Sequence, residues 1–140
     1  MLRDLTYKNI EIEKEITNLI GKEYSFLNKI KKGGVGSAKI LIKRSDNDIY
    51  SLLNVSNDLN ECNIELREKG IIIYFKSKQS TYGLAIPFYK LTLFKVDSDH
   101  YTISYEKYFL KLRIKSSSDH KFFKKISENK AFFLKSSSLN

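Results

Sequence analysis

The chain has no tryptophan and only one proline, one methionine and one cysteine. A lone cysteine, Cys62, excludes an internal disulfide and suits a reducing compartment, where a small buried apolar side chain is its expected role. Zinc needs several His or Cys ligands, and two His and one Cys are all there are, so neither a metal nor another cofactor is expected. One proline and six glycines exclude a linker-dominated chain. The longest apolar stretches, such as "IIIYF" at 71–75, fall far short of the ~20 residues that cross a bilayer. The opening "MLRDLTYKNI" has no signal-peptide run, so no transmembrane segment and a cytoplasmic location are expected.

What is present is a globular composition, 41% hydrophobic and 29% charged over 140 residues, enough for one domain with a real core. The net charge of +9 is uneven. Residues 71–140 carry thirteen Lys/Arg against five Asp/Glu, hence +8, and they hold fourteen of the eighteen aromatics. That asymmetry suits an anionic partner or solubility alone.

Residues 1–32 read as one amphipathic helix. Ile12, Ile16, Leu19, Phe26 and Ile30 form its stripe, Ile20 and Leu27 widen it, Asp4 is the candidate N-cap, and Gly21 weakens the middle. After Gly36 the period becomes that of strands, at about 37–44, 48–56, 62–68, 71–78, 82–94, 100–106 and 109–115. "ELREKGIIIYF" reads as a hairpin whose Gly70 supplies a positive φ, "VDSDHY" as a second turn, and Pro87 as a bend. Helical period returns after "KSSSD", where Ser116–Ser118 offer an N-cap and Phe122, Phe123, Ile126 and Phe133 form a stripe; "KSSSLN" reads as a flexible tail over 134–140.

Seven antiparallel strands must hide their edges, and partial barrel closure is the usual answer. The segments "KGIIIYF" (69–75), "LAIPFYKLTLFKVDSDHYTISY" (84–105), "YFLKLRIK" (108–115) and "SDHKFFKKI" (118–126) resemble, in order and pattern, the small PH-like (pleckstrin-homology superfold) domains of bacteria. The resemblance covers 37–133. It implies an α+β, mainly β fold: a seven-stranded antiparallel half-open barrel capped by a C-terminal helix, with the helix of 1–32 as an addition. Phosphoinositide-binding members carry a basic signature on the first two strands. Its nearest match here is Lys39, Lys43 and Arg44, weak anion-site candidates because Asp46 and Asp48 follow.

"KKGGVGSAK" is not a P-loop, because its glycines follow a helix and precede a strand; Gly33 or Gly34 reads as a helix C-cap. "DND" at 46–48 and "DSDH" at 97–100 read as turns, since a calcium loop needs a longer series of ligands. Ser118, Asp119 and His120 are sequence neighbours and cannot stack as a catalytic triad, so no catalytic residue is expected. The strongest chemical feature is a basic face. Lys111, Arg113 and Lys115 alternate with Leu110, Leu112 and Ile114, Lys121, Lys124 and Lys125 follow on the helix, and Lys76 and Lys78 extend the face if their strand lies nearby.

The expectation is a non-catalytic binding module that engages a protein partner or an anionic surface, lipid included, with the helix of 1–32 packed on the barrel or paired in a homodimer. The alternative is a small-barrel nucleic-acid binder using the lysines with Tyr101, Tyr105, Tyr108 and Phe109.

Overall fold

The computed structural model describes residues 1–53 and 60–138. Its strands are β1 (Leu2–Asp4), β2 (Ile40–Ser45), β3 (Glu61–Arg67), β4 (Gly70–Ser77), β5 (Ser80–Pro87), β6 (Thr92–Asp97), β7 (His100–Tyr105) and β8 (Tyr108–Arg113). Its helices are α1 (Ile10–Ile20), α2 (Phe26–Lys31), α3 (Asn47–Leu53) and α4 (Ser117–Ser138). The strands form one open antiparallel sheet in the order β1-β5-β4-β3-β2-β8-β7-β6.

Alternation along the strands sorts the sheet into two faces. Ile40, Ile42, Cys62, Ile64, Leu66, Ile71, Ile73, Phe75, Leu84, Ile86, Ile103, Leu110 and Leu112 point inward, and Phe122, Phe123 and Ile126 of α4 close over them with Ile49 and Leu53 of α3. The outer face is covered only in part. There α1 lays Ile16 and Ile20 on Ile72 of β4 and Ala85 of β5. The sheet also curls: Lys90, just past β5, reaches Glu106 in the β7–β8 turn at 3.1 Å.

Several sequence expectations need correcting. Among the described residues there are eight strands, and one of them, Leu2–Asp4, pairs with β5 instead of opening a helix. Residues 1–32 are therefore a strand and two helices. Asn9, not Asp4, caps α1, accepting from Glu11 N at 3.0 Å and Ile12 N at 3.2 Å. Gly21 ends α1 with φ 88°, where its carbonyl accepts from Arg67 Nη1 at 3.1 Å, and Ser25 caps a new helix. The expected strand at 48–56 is α3 from Asn47 to Leu53, and its remainder lies outside the described residues. The long strand at 82–94 is two, β5 and β6, divided by a 3-10 turn at Phe88–Lys90 directly after Pro87. Helix α4 runs on into the tail of 134–140, as far as Ser138.

Gly70 also does a different job from the one expected. Its φ is not positive. A Cβ built there would stand 2.2 Å from Ile86 O, 2.8 Å from Ile20 Cγ2 and 2.9 Å from Pro87 Cα, so the glycine lets β5 and α1 approach the start of β4.

Candidate binding surfaces

The polar motifs singled out in the sequence are absorbed into caps and turns. After α2, Gly34 N donates to Lys29 O at 2.8 Å and Gly33 N to Ile30 O at 3.0 Å, the paired bonds of a Schellman C-cap, with φ of 94° and 72° at the two glycines. Lys125 of α4 completes the cap, its Nζ donating to Lys32 O at 2.6 Å and Gly34 O at 2.9 Å. Asp46 starts α3: Oδ2 accepts from Ile49 N at 3.1 Å, while Oδ1 accepts from Phe109 N at 3.0 Å and ties the helix to β8. Asp97 Oδ1 meets His100 Nδ1 and Asp99 N, both at 2.8 Å, and these bonds, the His100 one first, lower its pKa. Ser116 Oγ accepts from Asp119 N at 3.2 Å and meets Ser118 Oγ at 3.0 Å, whereas His120 lies beside the Tyr101 ring. Among the described residues no three His, Cys, Asp or Glu are arranged to hold a metal.

Cys62 is buried in the inner core, and burial pushes its thiol up to about 12. It should therefore resist iodoacetamide at pH 8 in the folded chain and react once the chain is unfolded; rapid alkylation of the native protein would contradict this placement. The raised pKa gives stability that is full below the ordinary value near 9 and falls as pH climbs from 9 towards 12.

The basic face predicted from the sequence is divided by the sheet. Lys111 and Arg113 alternate with the inward Leu110 and Leu112, so they stand on the outer face. Lys121, Lys124 and Lys125 ride on α4, across the inner face, and Lys125 is already committed to the α2 cap. Lys115 is exposed past the end of β8, and Lys39 is exposed before β2. Lys76 is exposed on β4, and Lys78 sits in the β4–β5 turn with φ 56°. Lys43 and Arg44 on β2 join the outer pair, because Arg44 lies directly across from Lys111.

Two further surfaces stand out. The stripe expected to run from Ile12 to Ile30 is interrupted at Gly21. Ile16 is buried and Ile12 and Leu19 are half-buried against the sheet, but Phe26, Leu27 and Ile30 of α2 are 75%, 69% and 61% exposed. The helix is capped at both ends, yet Phe26, Leu27 and Ile30 are left exposed by the described residues.

The second surface is a cleft of about 600 Å³ between the β6–β7 hairpin and α4, lined by Lys95, Ser98, Tyr101, His120, Phe123, Lys124 and Ser127. Tyr101 stacks on Phe123 with centroids 4.6 Å apart, and Lys95 Nζ stands 5.9 Å from the Tyr101 centroid. Beside this cleft β6 is the last strand of the sheet, paired only with β7 among the described residues. Nearly all of β6 is exposed, Phe94 and Val96 included. Sequence reasoning counted Lys124 as part of a single basic face and missed Lys95 and His120, which no local pattern joins to it. It also counted Tyr101 and Tyr105 among available aromatics, whereas Tyr105 is buried and Tyr101 is held against Phe123. No protein-family model matches the chain, and comparison with curated proteins and with solved structures finds no match in either.

Proposed function

We propose that the chain is a non-catalytic PH-like binding module, and that it takes an extended segment of a protein partner as an additional strand on β6. The PH-like reading is supported by topology: β2 to β8 are seven consecutive strands whose first pairs with its seventh, followed by a helix laid over the inner face. The single observation that carries the binding reading is the open edge of β6 beside the cleft against α4. An edge strand offers unpaired N–H and C=O groups, and proteins normally cover or blunt such an edge. A peptide that pairs with it gains main-chain hydrogen bonds, while its alternate side chains enter the neighbouring cleft.

The lining favours an acidic segment. Lys95 and Lys124 present ammonium groups, His120 adds a ring N–H donor, and Ser98 and Ser127 add hydroxyls that donate to carboxylates. Tyr101, half-buried and stacked on the buried Phe123, offers an aromatic surface for one apolar side chain.

The experiment is selection of displayed random peptides on the immobilised chain, repeated with Lys95→Glu/Lys124→Glu. The wild-type chain should enrich acidic sequences with alternating β-branched or aromatic residues, and the double variant should lose them by at least tenfold in affinity. Equal enrichment by both proteins would remove the cleft from the account.

A further inference from the structure

The outer face of β2 and β8 carries a cluster of cations, and its origin lies in one irregularity of the sheet. Along β2, Ile40 and Ile42 point into the core, so strict alternation would send Arg44 inward as well. The register slips between Ile42, opposite Leu112, and Arg44, opposite Lys111: two steps on β2 match one on β8. Lys43 is the extra residue of this β-bulge, and the bulge turns Arg44 out of the core. Lys43 and Arg44 are both exposed as a result, side by side against Lys111, with Arg113 one pleat further along β8, about 6–7 Å away.

Four cations thus share a patch two strands wide. Among the described residues none of Lys43, Arg44, Lys111 and Arg113 has an ion pair or a side-chain hydrogen bond. Like charges directly opposite one another destabilise a sheet, and an anion between them would relieve the repulsion.

The surroundings give the ligand its class. The row holding Arg44 and Lys111 continues to Thr102 on β7 and Phe94 on β6, which is 60% exposed. The row holding Arg113 continues from Leu41 on one side to His100 on the other, and Glu61 and Asp97 close its two ends. A flat anionic membrane would have to meet these carboxylates together with the cations. A single polymer strand can follow the cations between them, hydrogen-bond Thr102 and stack a base on Phe94.

We infer that this face binds single-stranded nucleic acid through Lys43, Arg44, Lys111 and Arg113, separately from the peptide cleft on the other side of the sheet. The test is fluorescence anisotropy with a fluorescein-labelled thymidine 20-mer, beginning at low salt. Three or four phosphates neutralised should give a slope of log K against log salt of about −2 to −3. Arg44→Glu should weaken binding at least tenfold while leaving the melting temperature unchanged or raised, because it creates an ion pair across from Lys111. Lys121→Glu, with the same change in net charge on the other side of the sheet, should cost less than threefold. Phe94→Ala should weaken binding several-fold with little change in the salt slope.

Three results would overturn the inference. One is no anisotropy change at low salt. Another is equal weakening by Arg44→Glu and Lys121→Glu, which would mean diffuse attraction without a site. The third is tighter binding to phosphatidylserine vesicles than to the oligonucleotide, with the same Arg44 dependence, which would make the ligand a membrane.

Discussion

Replacing Gly70 by alanine is expected to cost at least about 3 kcal/mol and to lower the melting temperature by more than about 10 °C, measured by thermal unfolding. The reason is close approach of backbone. The new methyl would stand 2.2 Å from Ile86 O and 2.9 Å from Pro87 Cα, atoms of the main chain that no rotamer change can move. It would also meet Ile20 Cγ2 at 2.8 Å, pushing α1 off the sheet. Separation of β5 from β4 at their shared end is the only relief, and Gly70 is paired there with Pro87. Gly36 supplies the control. Nothing lies within 4 Å of a Cβ built there and its φ is not positive, so Gly36→Ala should change stability by less than about 1 kcal/mol. Equal melting temperatures for the two variants would refute this packing of α1, β4 and β5.

The second large effect belongs to Phe123. It is fully buried, stacks on Tyr101 and meets Phe122 edge-on with centroids 6.4 Å apart. Truncation to alanine removes a buried ring and leaves a cavity under α4, an expected loss of about 3–5 kcal/mol in chemical denaturation. Phe132, on the same helix but 74% exposed, should cost less than about 0.5 kcal/mol when cut to alanine. A small loss for Phe123→Ala would show that α4 does not close the inner face as described.

Much of this architecture was legible in the sequence, and its failures have physical causes. The strands of 61–67, 70–77, 100–105 and 108–113 were read within a residue or two, because each has one face in the core and alternates cleanly. The strand Leu2–Asp4 was missed since three residues are too short to show a period; its place depends on hydrogen bonds with a segment eighty residues away. In the sequence, the segment at 48–56 reads as a strand although Ile49, Leu52 and Leu53 have helical spacing and Asp46 is a natural cap. Its β-branched and aromatic residues outweighed a pattern only two turns long. Gly21 and Ser25 signal the break in 1–32, but in the sequence the apolar stripe runs on through them; in the fold its second half faces solvent.

The binding surfaces were less legible. Alternation alone places Lys111 and Arg113 on one face of β8, and nothing in the sequence joins Lys43 and Arg44 to them. Only strand pairing brings the two together, and only the bulge keeps Arg44 out of the core. Conversely, Lys125 looked like part of the patch and is a helix cap, because its carbonyl partners lie more than ninety residues away in sequence. The cleft beside β6 draws on residues from a hairpin and a helix, a combination that no local motif contains.

The most direct test of the account is backbone amide shift mapping by NMR, using the labelled chain and a peptide enriched by selection. The account predicts shifts at Thr92–Asp97 and along the facing part of α4, from His120 to Ser127, with slowed hydrogen exchange on β6 as its outer edge becomes paired. Shifts confined to α2 around Phe26, Leu27 and Ile30, with β6 unchanged, would place the partner on the exposed apolar helix and contradict the proposed mode of binding.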